Sequence, residues 1–167
     1  TQSTWGDYKE MERENPRELK RSDPNFAIIV EEIERIERKS FPKHESMAGS
    51  FVDHELKKKN IEVWYSEVNG EVAGYVVLSW EGSLCASIAK LAVKESLRKK
   101  GHGEMLMKAG MERCRTRKVH RVSLHVDTTR TAAMKLYEKL GFQIESLVEG
   151  YYSPERDAYR MFLEFDQ

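Results

Sequence analysis

The dipeptide Asn69-Gly70 separates two segments rich in β-branched and aromatic residues, at positions 63–68 and 72–78. Both residues of the dipeptide accept the positive φ angles of a tight two-residue turn. This pattern predicts a β-hairpin near the middle of the chain. Because a sheet has to bury at least one of its faces, we expect helices elsewhere in the chain to pack on it.

The segment before the hairpin has a helical pattern. Apolar residues recur at helical spacing from Phe26 to Ile36, which predicts an amphipathic helix that ends at Phe41-Pro42. Asp23 is expected to cap this helix, with Pro24 as its first residue. A second, weaker helix is predicted over residues 47–59.

After the hairpin, strands alternate with helices. Strands are predicted at 87–93, 119–126, 143–148 and 157–165, with a loop over 150–154. One helix is predicted to follow residue 103, and another is predicted to end at Gly141, where a left-handed residue is wanted. This order predicts an α+β fold (α/β three-layer) in which helices flank a mixed central sheet.

Composition limits the class of protein. The chain has 167 residues, 40% of them hydrophobic, which suits one domain and is short for two. Its 28 Lys and Arg balance its 28 Asp and Glu, so the average charge favours neither a nucleic acid nor an anionic membrane as partner. Cys85 and Cys114 lack a disulfide or metal-site spacing, which favours a reducing compartment.

The apolar runs are shorter than the roughly 18 residues that span a bilayer, so we expect a cytoplasmic protein without membrane contact. The sequence begins at Thr1 rather than Met. A nuclear location or, after removal of a presequence, an organellar one therefore stays open.

Residues 98–103, Arg-Lys-Lys-Gly-His-Gly, lie between a predicted strand and a predicted helix. Amides at the start of a helix bind anions, glycines let the chain approach a phosphate closely, and basic side chains add charge attraction. Neither the dinucleotide-binding pattern nor the P-loop pattern fits the residues that follow. The segment therefore indicates a phosphate site of another kind, and the alternative interpretation is a turn with solvated lysines.

The charge around this segment is uneven. Between Arg98 and Arg121 there are nine basic and two acidic residues, so this stretch has a net charge of +7 and the rest of the chain −7. Such an asymmetry can steer a polyphosphate ligand to one face of the protein. Nucleic-acid binding by these residues is disfavoured, because no interleaved surface aromatic residues or reading motif accompany them.

A family resemblance extends this interpretation. Leu-Ala-Val at 91–93, followed after four residues by Arg-x-x-Gly-x-Gly, resembles the acyl-CoA signature of the GNAT superfamily of N-acyltransferases. Leu-Tyr-Glu-Lys-Leu-Gly-Phe at 136–142 is similar to the usual helix ending of that superfamily. The resemblance implies the GNAT acyl-CoA N-acyltransferase fold, with a single N-acetyltransferase domain over residues 23–167. A poorly specified arm at 1–22, with room for a first edge strand, precedes it.

The resemblance also implies that the chain uses acetyl-CoA as co-substrate and no metal. The strand before the loop would pair with the pantetheine arm, the loop would hold the pyrophosphate, and Tyr137 would lie near the sulfur. Arg130 stands where the family commonly has Asn, and a contact with a CoA phosphate is the role we consider for it. The implied cofactor-binding residues are Leu91, Ala92, Val93, Arg98, Lys99, Lys100, Gly101, His102, Gly103, Glu104, Arg130 and Tyr137.

Leu-His-Val at 124–126, Gly-Tyr-Tyr at 150–152 and Asp-Ala-Tyr at 157–159 resemble protein N-terminal acetyltransferases, including the ribosomal-protein alanine type. The resemblance implies that His125 is the base and Tyr137 the acid that protonates the leaving thiolate. A structural histidine and a core tyrosine are the alternative interpretations. The implied acceptor-binding residues are Phe41, Pro42, Tyr151 and Tyr152.

The acceptor amine has to be neutral to attack a thioester. Deprotonation at pH 7 costs about 1 kcal/mol for a protein α-amine and roughly 4.6 kcal/mol for a lysine, and a histidine base suits the first task. We therefore expect direct attack by an N-terminal α-amine in a ternary complex. A small amine (a polyamine or arylalkylamine), a protein lysine and a non-catalytic CoA-binding adaptor stay as alternatives, and an auxiliary subunit or a homodimer is left open.

Overall fold

The computed structural model describes residues 14–42 and 54–165. In this part of the chain seven strands form one mixed sheet, in the order β1-β2-β3-β4-β5-β7-β6, accompanied by three α-helices. The strands are β1 (Arg17–Glu18), β2 (Ile61–Val68), β3 (Glu71–Trp80), β4 (Cys85–Val93), β5 (Arg121–Asp127), β6 (Gln143–Ser153) and β7 (Arg156–Glu164). The helices are α1 (Phe26–Ser40), α2 (His102–Thr116) and α3 (Thr131–Lys139). The predicted fold class is confirmed, and so is the alternation of strands and helices from the hairpin onward.

Two glycine positions behave as the sequence predicts. Asn69 and Gly70 connect β2 to β3 with φ angles of 52° and 80°. Gly141, just after α3, has a φ of 102°, and its amide donates to the carbonyl of Glu138 at 3.0 Å. Both turns need a backbone conformation that glycine adopts without a steric penalty.

The predicted cap of the first helix is wrong. Helix α1 begins at Phe26, and its N-cap is Asn25, which makes no side-chain cap bond. The carboxylate of Asp23 accepts a hydrogen bond from the amide of Asn25 at 2.8 Å. Asp23 therefore stabilises the turn before the helix rather than the helix end itself.

The predicted loop over residues 150–154 is also wrong, because residues 150–153 belong to β6. The antiparallel register of β6 with β7 shifts between the pairs Val148/Ala158 and Ser153/Arg156, so β6 bulges there. Gly150 has a φ of 62°, and its amide donates to the carboxylate of Asp157 at 2.8 Å. The bulge keeps the chain within the strand while redirecting its side chains.

Most of the helix predicted at 47–59 lies outside the described residues. Of the described part, residues 54–55 lie in a π-helical turn and residues 56–57 and 59–60 form turns. None of the helices in the described ranges is long and apolar enough to cross a bilayer.

One compact unit contains the described residues up to Val77 together with Lys90–Ala109. Helix α1 buries Ile29, Ile33 and Ile36, at helical spacing, in a core that strand residues such as Val63 also line. The segment before α1 takes part as well, because β1 pairs with β2 and Leu19 is buried. The edge strand expected in the N-terminal arm is therefore present.

The second unit contains Leu78–Ala89 and the described residues from Gly110 onward. Strand β5 pairs in parallel with the first half of β4, from Cys85/Arg121 to Ile88/Leu124, and antiparallel with β7 along its whole length. Beyond β7 lies β6, the last strand of the sheet. Three large side chains of β6, Ile144, Leu147 and Tyr151, are 47–50% exposed.

Candidate active site

The predicted phosphate-binding segment connects β4 to α2 in the first unit. Lys99 and Gly101 have φ angles of 63° and 88°, so two residues adopt the left-handed backbone conformation just before α2 begins at His102. The first amides of a helix have no carbonyl partner within that helix and carry a partial positive charge. Together with the exposed side chains of Lys99 and Lys100, this donor set fits the phosphates of CoA.

Within this segment Arg98 is turned back towards the fold. Its Nε donates to the carbonyl of Val93 at 3.1 Å, and its Nη2 donates to the hydroxyl of Ser40 at 3.5 Å. His102 is buried, and Glu104 in the first turn of α2 forms an ion pair with Lys108 at 3.4 Å. Arg98, although exposed, therefore braces the base of the loop, whereas no such hydrogen bond is described for the exposed side chains of Lys99 and Lys100.

The strand before the loop is held close to β3. Ala92 is buried, and Leu91 and Val93 are half-buried. A Cβ atom on Gly74 of β3 would lie 2.7 Å from the carbonyl oxygen of Ala92. Glycine at position 74 therefore allows the close approach of β3 to the part of β4 that is expected to bind pantetheine.

In the second unit, the half-buried side chain of His125 projects from β5. Its ring stacks on that of Tyr151, with centroids 4.2 Å apart and planes 6° apart, and Tyr151 meets Tyr152 edge-on at 4.8 Å. Burial lowers the pKa of His125, and the charge of Arg160, its partner on β7, lowers it further. Both effects favour the neutral imidazole, which is the form that a base requires.

A buried carboxylate, which the sequence reasoning missed, anchors the same region. Asp127 Oδ2 accepts hydrogen bonds from Arg156 Nε at 3.1 Å and Nη2 at 3.0 Å. The guanidinium of Arg156 also lies 4.8 Å from the centre of the Tyr152 ring. A chain of contacts therefore runs from Asp127 through Arg156, Tyr152 and Tyr151 to His125.

Asp127 could have been suspected, because it lies two residues after His125 and so on the same face of β5. Arg156 gave no local signal, since it is 29 residues from Asp127. Only the antiparallel pairing of β5 and β7 places the two residues together.

Tyr137 is a buried residue of α3 that contacts Phe142 edge-on, with ring centroids 6.2 Å apart. Burial raises the pKa of its phenol, and the charge of Arg130 partly offsets this effect. The phenol is therefore protonated at neutral pH, as a proton donor must be. Arg130 itself is exposed at the N-cap of α3, where it makes no side-chain cap bond.

The expected acceptor-binding residues fall in both units. Phe41, directly after α1, is half-buried, and the ammonium of Lys90 lies 4.4 Å from the centre of its ring. Pro42 is exposed and is followed by residues outside the described ranges. Tyr151 and Tyr152, in contrast, belong to the second unit with His125. The structure thus brings together His125, the predicted base, and the two tyrosines within one unit.

Comparison with known proteins identifies the family. The sequence model of the Acetyltransferase (GNAT) family matches residues 30–142 of this chain. The chain belongs to the GNAT acetyltransferase family. It is therefore an acetyl-CoA-dependent N-acetyltransferase. The matched range includes the glycine-rich loop before α2 and the segment from α3 to Gly141.

Two relatives of this GNAT acetyltransferase carry names that concern N-termini. An N-alpha-acetyltransferase of Sulfurisphaera tokodaii is 31% identical over 144 residues, which is 79% of this chain and 85% of the relative. The catalytic subunit of the N-terminal acetyltransferase A complex of Arabidopsis thaliana is 37% identical over 102 residues, which is 57% of this chain and 52% of the relative.

Solved structures confirm the GNAT fold. Ard1 from Thermoplasma volcanium superposes with a TM-score of 0.74 at 29% identity, and the match covers 91% of this chain and 97% of the Ard1 chain. A GNAT family acetyltransferase from Elizabethkingia anophelis with acetyl-CoA bound has a TM-score of 0.70 at 17% identity, and the match covers 90% of this chain and 97% of that acetyltransferase.

Proposed function

We propose that this GNAT acetyltransferase acetylates the N-terminal α-amine of proteins or peptides. The observation that carries the proposal is the stack of His125 on Tyr151 beside Tyr152, which sets a neutral base against two tyrosines able to contact a peptide. The names of the relatives from Sulfurisphaera and Arabidopsis support the same acceptor.

The chemical step is direct attack in a ternary complex. His125, directly or through water, accepts the proton that the amine loses as its nitrogen bonds the acetyl carbon. Tyr137 donates its phenolic proton to sulfur as the carbon–sulfur bond breaks. The lowered pKa of His125 keeps its imidazole neutral and the raised pKa of Tyr137 keeps its phenol protonated, which are the starting states that the two roles need.

The remaining residues bind and orient the two substrates. The amides at the start of α2, with Lys99 and Lys100, bind the phosphates of acetyl-CoA, and Arg98 braces their loop. A backbone N–H of residues 91–93 stabilises the oxyanion that forms on the acetyl group.

In this proposal Tyr151 and Tyr152, which belong to the same unit as His125, bind the acceptor. Phe41 and Pro42 are the acceptor-binding residues proposed for the first unit.

Cys85 is exposed and forms no disulfide within the described part of the chain, which suits a reducing compartment such as the cytoplasm, where we place the enzyme.

The acceptor class is tested with a panel of short peptides that differ in their first two residues. Each peptide is assayed with acetyl-CoA in a free and an Nα-blocked form, beside a polyamine, an arylalkylamine and an Nα-blocked peptide that contains lysine. We expect turnover of free peptides only, with the acetyl group located on the first residue by mass spectrometry. Turnover of the small amines or the lysine peptide, with none of any free α-amine, would contradict the proposal.

The catalytic roles are tested with His125→Ala and Tyr137→Phe, whose kcat we expect to fall at least about 10²-fold between about pH 6 and 9. Matched controls are His120→Ala, an exposed histidine, and Tyr65→Phe, a buried tyrosine of the first unit. Near-normal kcat in both active-site variants across this range would show that the two assignments are wrong.

A further inference from the structure

A buried polar cluster in the first unit has no role in the mechanism above. The side chain of Glu37, in the last turns of α1, has no exposed surface. Its Oε1 accepts a hydrogen bond from the hydroxyl of Tyr75 at 2.5 Å. The ammonium of Lys90 lies 3.1 Å from Oε1 and 3.2 Å from Oε2. The cluster therefore joins α1, β3 and β4 through one carboxylate.

An ion pair buried this deeply does little for net stability. Removing a carboxylate and an ammonium from water costs about as much as their attraction returns, and an apolar pair of similar volume is often as stable. A carboxylate that accepts bonds from two directions does, however, fix the relative position of the elements that supply the donors. Glu37 thus acts on geometry more than on the free energy of unfolding.

The same two residues hold Phe41. The amide of Phe41 donates to the backbone carbonyl of Glu37 at 3.1 Å, and its ring lies 4.4 Å from the ammonium of Lys90. Lys90 also directly precedes residues 91–93, the part of β4 that is expected to pair with the pantetheine arm. The cluster therefore touches both Phe41, which binds the acceptor in the proposed function, and the strand whose residues 91–93 are expected to pair with the pantetheine arm.

We propose that Glu37, Tyr75 and Lys90 are positioning residues for acetyl transfer. They hold Phe41 at a fixed distance from β4, so that the acceptor binds with its amine close to the acetyl carbon. This inference rests on the proposed function, because Phe41 is an acceptor-binding residue only there.

The decisive variant is the double substitution Glu37→Gln with Lys90→Met, which removes both charges together and leaves the Gln oxygen as an acceptor for Tyr75. The matched control is Glu71→Gln with Lys94→Met. That pair also joins β3 to the end of β4, at 3.5 Å, but its side chains are 70% and 45% exposed. Phe41→Leu, which removes the ring without leaving a buried charge, is a second variant.

In the cluster variant we expect KM for the acceptor to rise about tenfold, with KM for acetyl-CoA within about twofold of wild type. Hydrogen exchange at the amide of Phe41 should accelerate in the cluster variant and stay unchanged in the control. Phe41→Leu should reproduce the rise in acceptor KM. The single substitution Lys90→Arg keeps the charge, so its acceptor KM should stay close to that of the wild type.

Three results would overturn the inference. One is unchanged exchange together with unchanged kinetics in the folded cluster variant. Another is faster exchange without any change in acceptor KM, which would make the cluster purely structural. The third is a normal acceptor KM in Phe41→Leu. Failure of the proposed function has a different result: the wild-type enzyme then acetylates other amines and no α-amine. In that case the acceptor KM values of wild type and variants are compared with the amine that is acetylated.

Discussion

Replacing Asp127 by Asn isolates the ion pair that joins β5 to the start of β7. The amide oxygen of Asn can still accept the two hydrogen bonds that Thr129 donates to Oδ1, from its amide at 2.9 Å and from its hydroxyl at 2.7 Å. Oδ2, which accepts both bonds from Arg156, becomes an NH2 group that only donates. The substitution therefore removes the Arg156 contacts and leaves the turn at Thr129 in place.

The magnitude follows from the exposure of the pair. Hydrogen bonds to a charged group contribute about 1.5–3 kcal/mol each when both partners are buried. The side chain of Asp127 is 9% exposed but that of Arg156 is 36% exposed, so water replaces part of the loss and we expect about 2 kcal/mol in total. In a chain of this length that corresponds to a decrease in Tm of about 4–8 °C.

The loss depends on pH in a defined direction. The amide of Thr129, then its hydroxyl and the guanidinium of Arg156, hold the pKa of Asp127 below its usual value. A carboxyl whose pKa is lower in the folded state contributes stability above its unfolded pKa, near about 3.9, and loses that contribution as the pH falls through the folded pKa. The difference between wild type and variant should therefore be complete at neutral pH and shrink below about pH 4.

The assay is thermal unfolding followed by circular dichroism at about pH 7 and about pH 3.5. Glu164→Gln is the matched control, because Glu164 pairs with Arg121 across the same two strands but is 65% exposed, and we expect it to change Tm by less than about 2 °C. Equal Tm values for wild type and Asp127→Asn at neutral pH, or a difference that does not shrink on acidification, would refute the reasoning.

Three further predictions concern catalysis and packing. Because burial and Arg160 lower the pKa of His125, the acid limb of kcat/KM should lie below about pH 6.5, and Arg160→Met should move it to higher pH; an unmoved limb would contradict this. Tyr137→Phe should lower kcat about 10²-fold in a thiol-release assay, with KM for acetyl-CoA nearly unchanged, and a rise in KM alone would indicate a binding role. Gly74→Ala should cost about 1–3 kcal/mol in denaturant unfolding, because its Cβ would collide with the carbonyl of Ala92, and wild-type stability would show that β4 yields easily.

Features of local origin could be predicted from the sequence. The turns at Asn69-Gly70 and Gly141 could be predicted because they need positive φ angles, which these residue types tolerate. The glycine-rich loop before α2 and the segment from α3 to Gly141 likewise carry their family resemblance in short, continuous segments. The position of the α1 cap was missed because Asp23, although a good capping residue, is used in the preceding turn.

Features that depend on distant residues could not be predicted. Glu37 meets Tyr75 and Lys90 across 38 and 53 residues of chain. No period or motif marks such a cluster, because sheet pairing and helix packing create it. The bulge in β6 was missed for a related reason. Gly-Tyr-Tyr-Ser-Pro has the composition of a loop, whereas contacts with β7, such as the bond from Gly150 to Asp157 and the pairing of Ser153 with Arg156, keep residues 150–153 within a strand.

The bulge in β6 also affects how readily another chain could pair with the edge of the sheet. Because β6 is the last strand, its outer backbone groups could template the addition of another chain, and its exposed Ile144 and Leu147 would favour such pairing. The interruption around Gly150 breaks the regular spacing that a continuous added strand would need. The register shift next to Tyr151 therefore also makes this edge less regular, so a variant that straightened β6 would be expected to aggregate more readily.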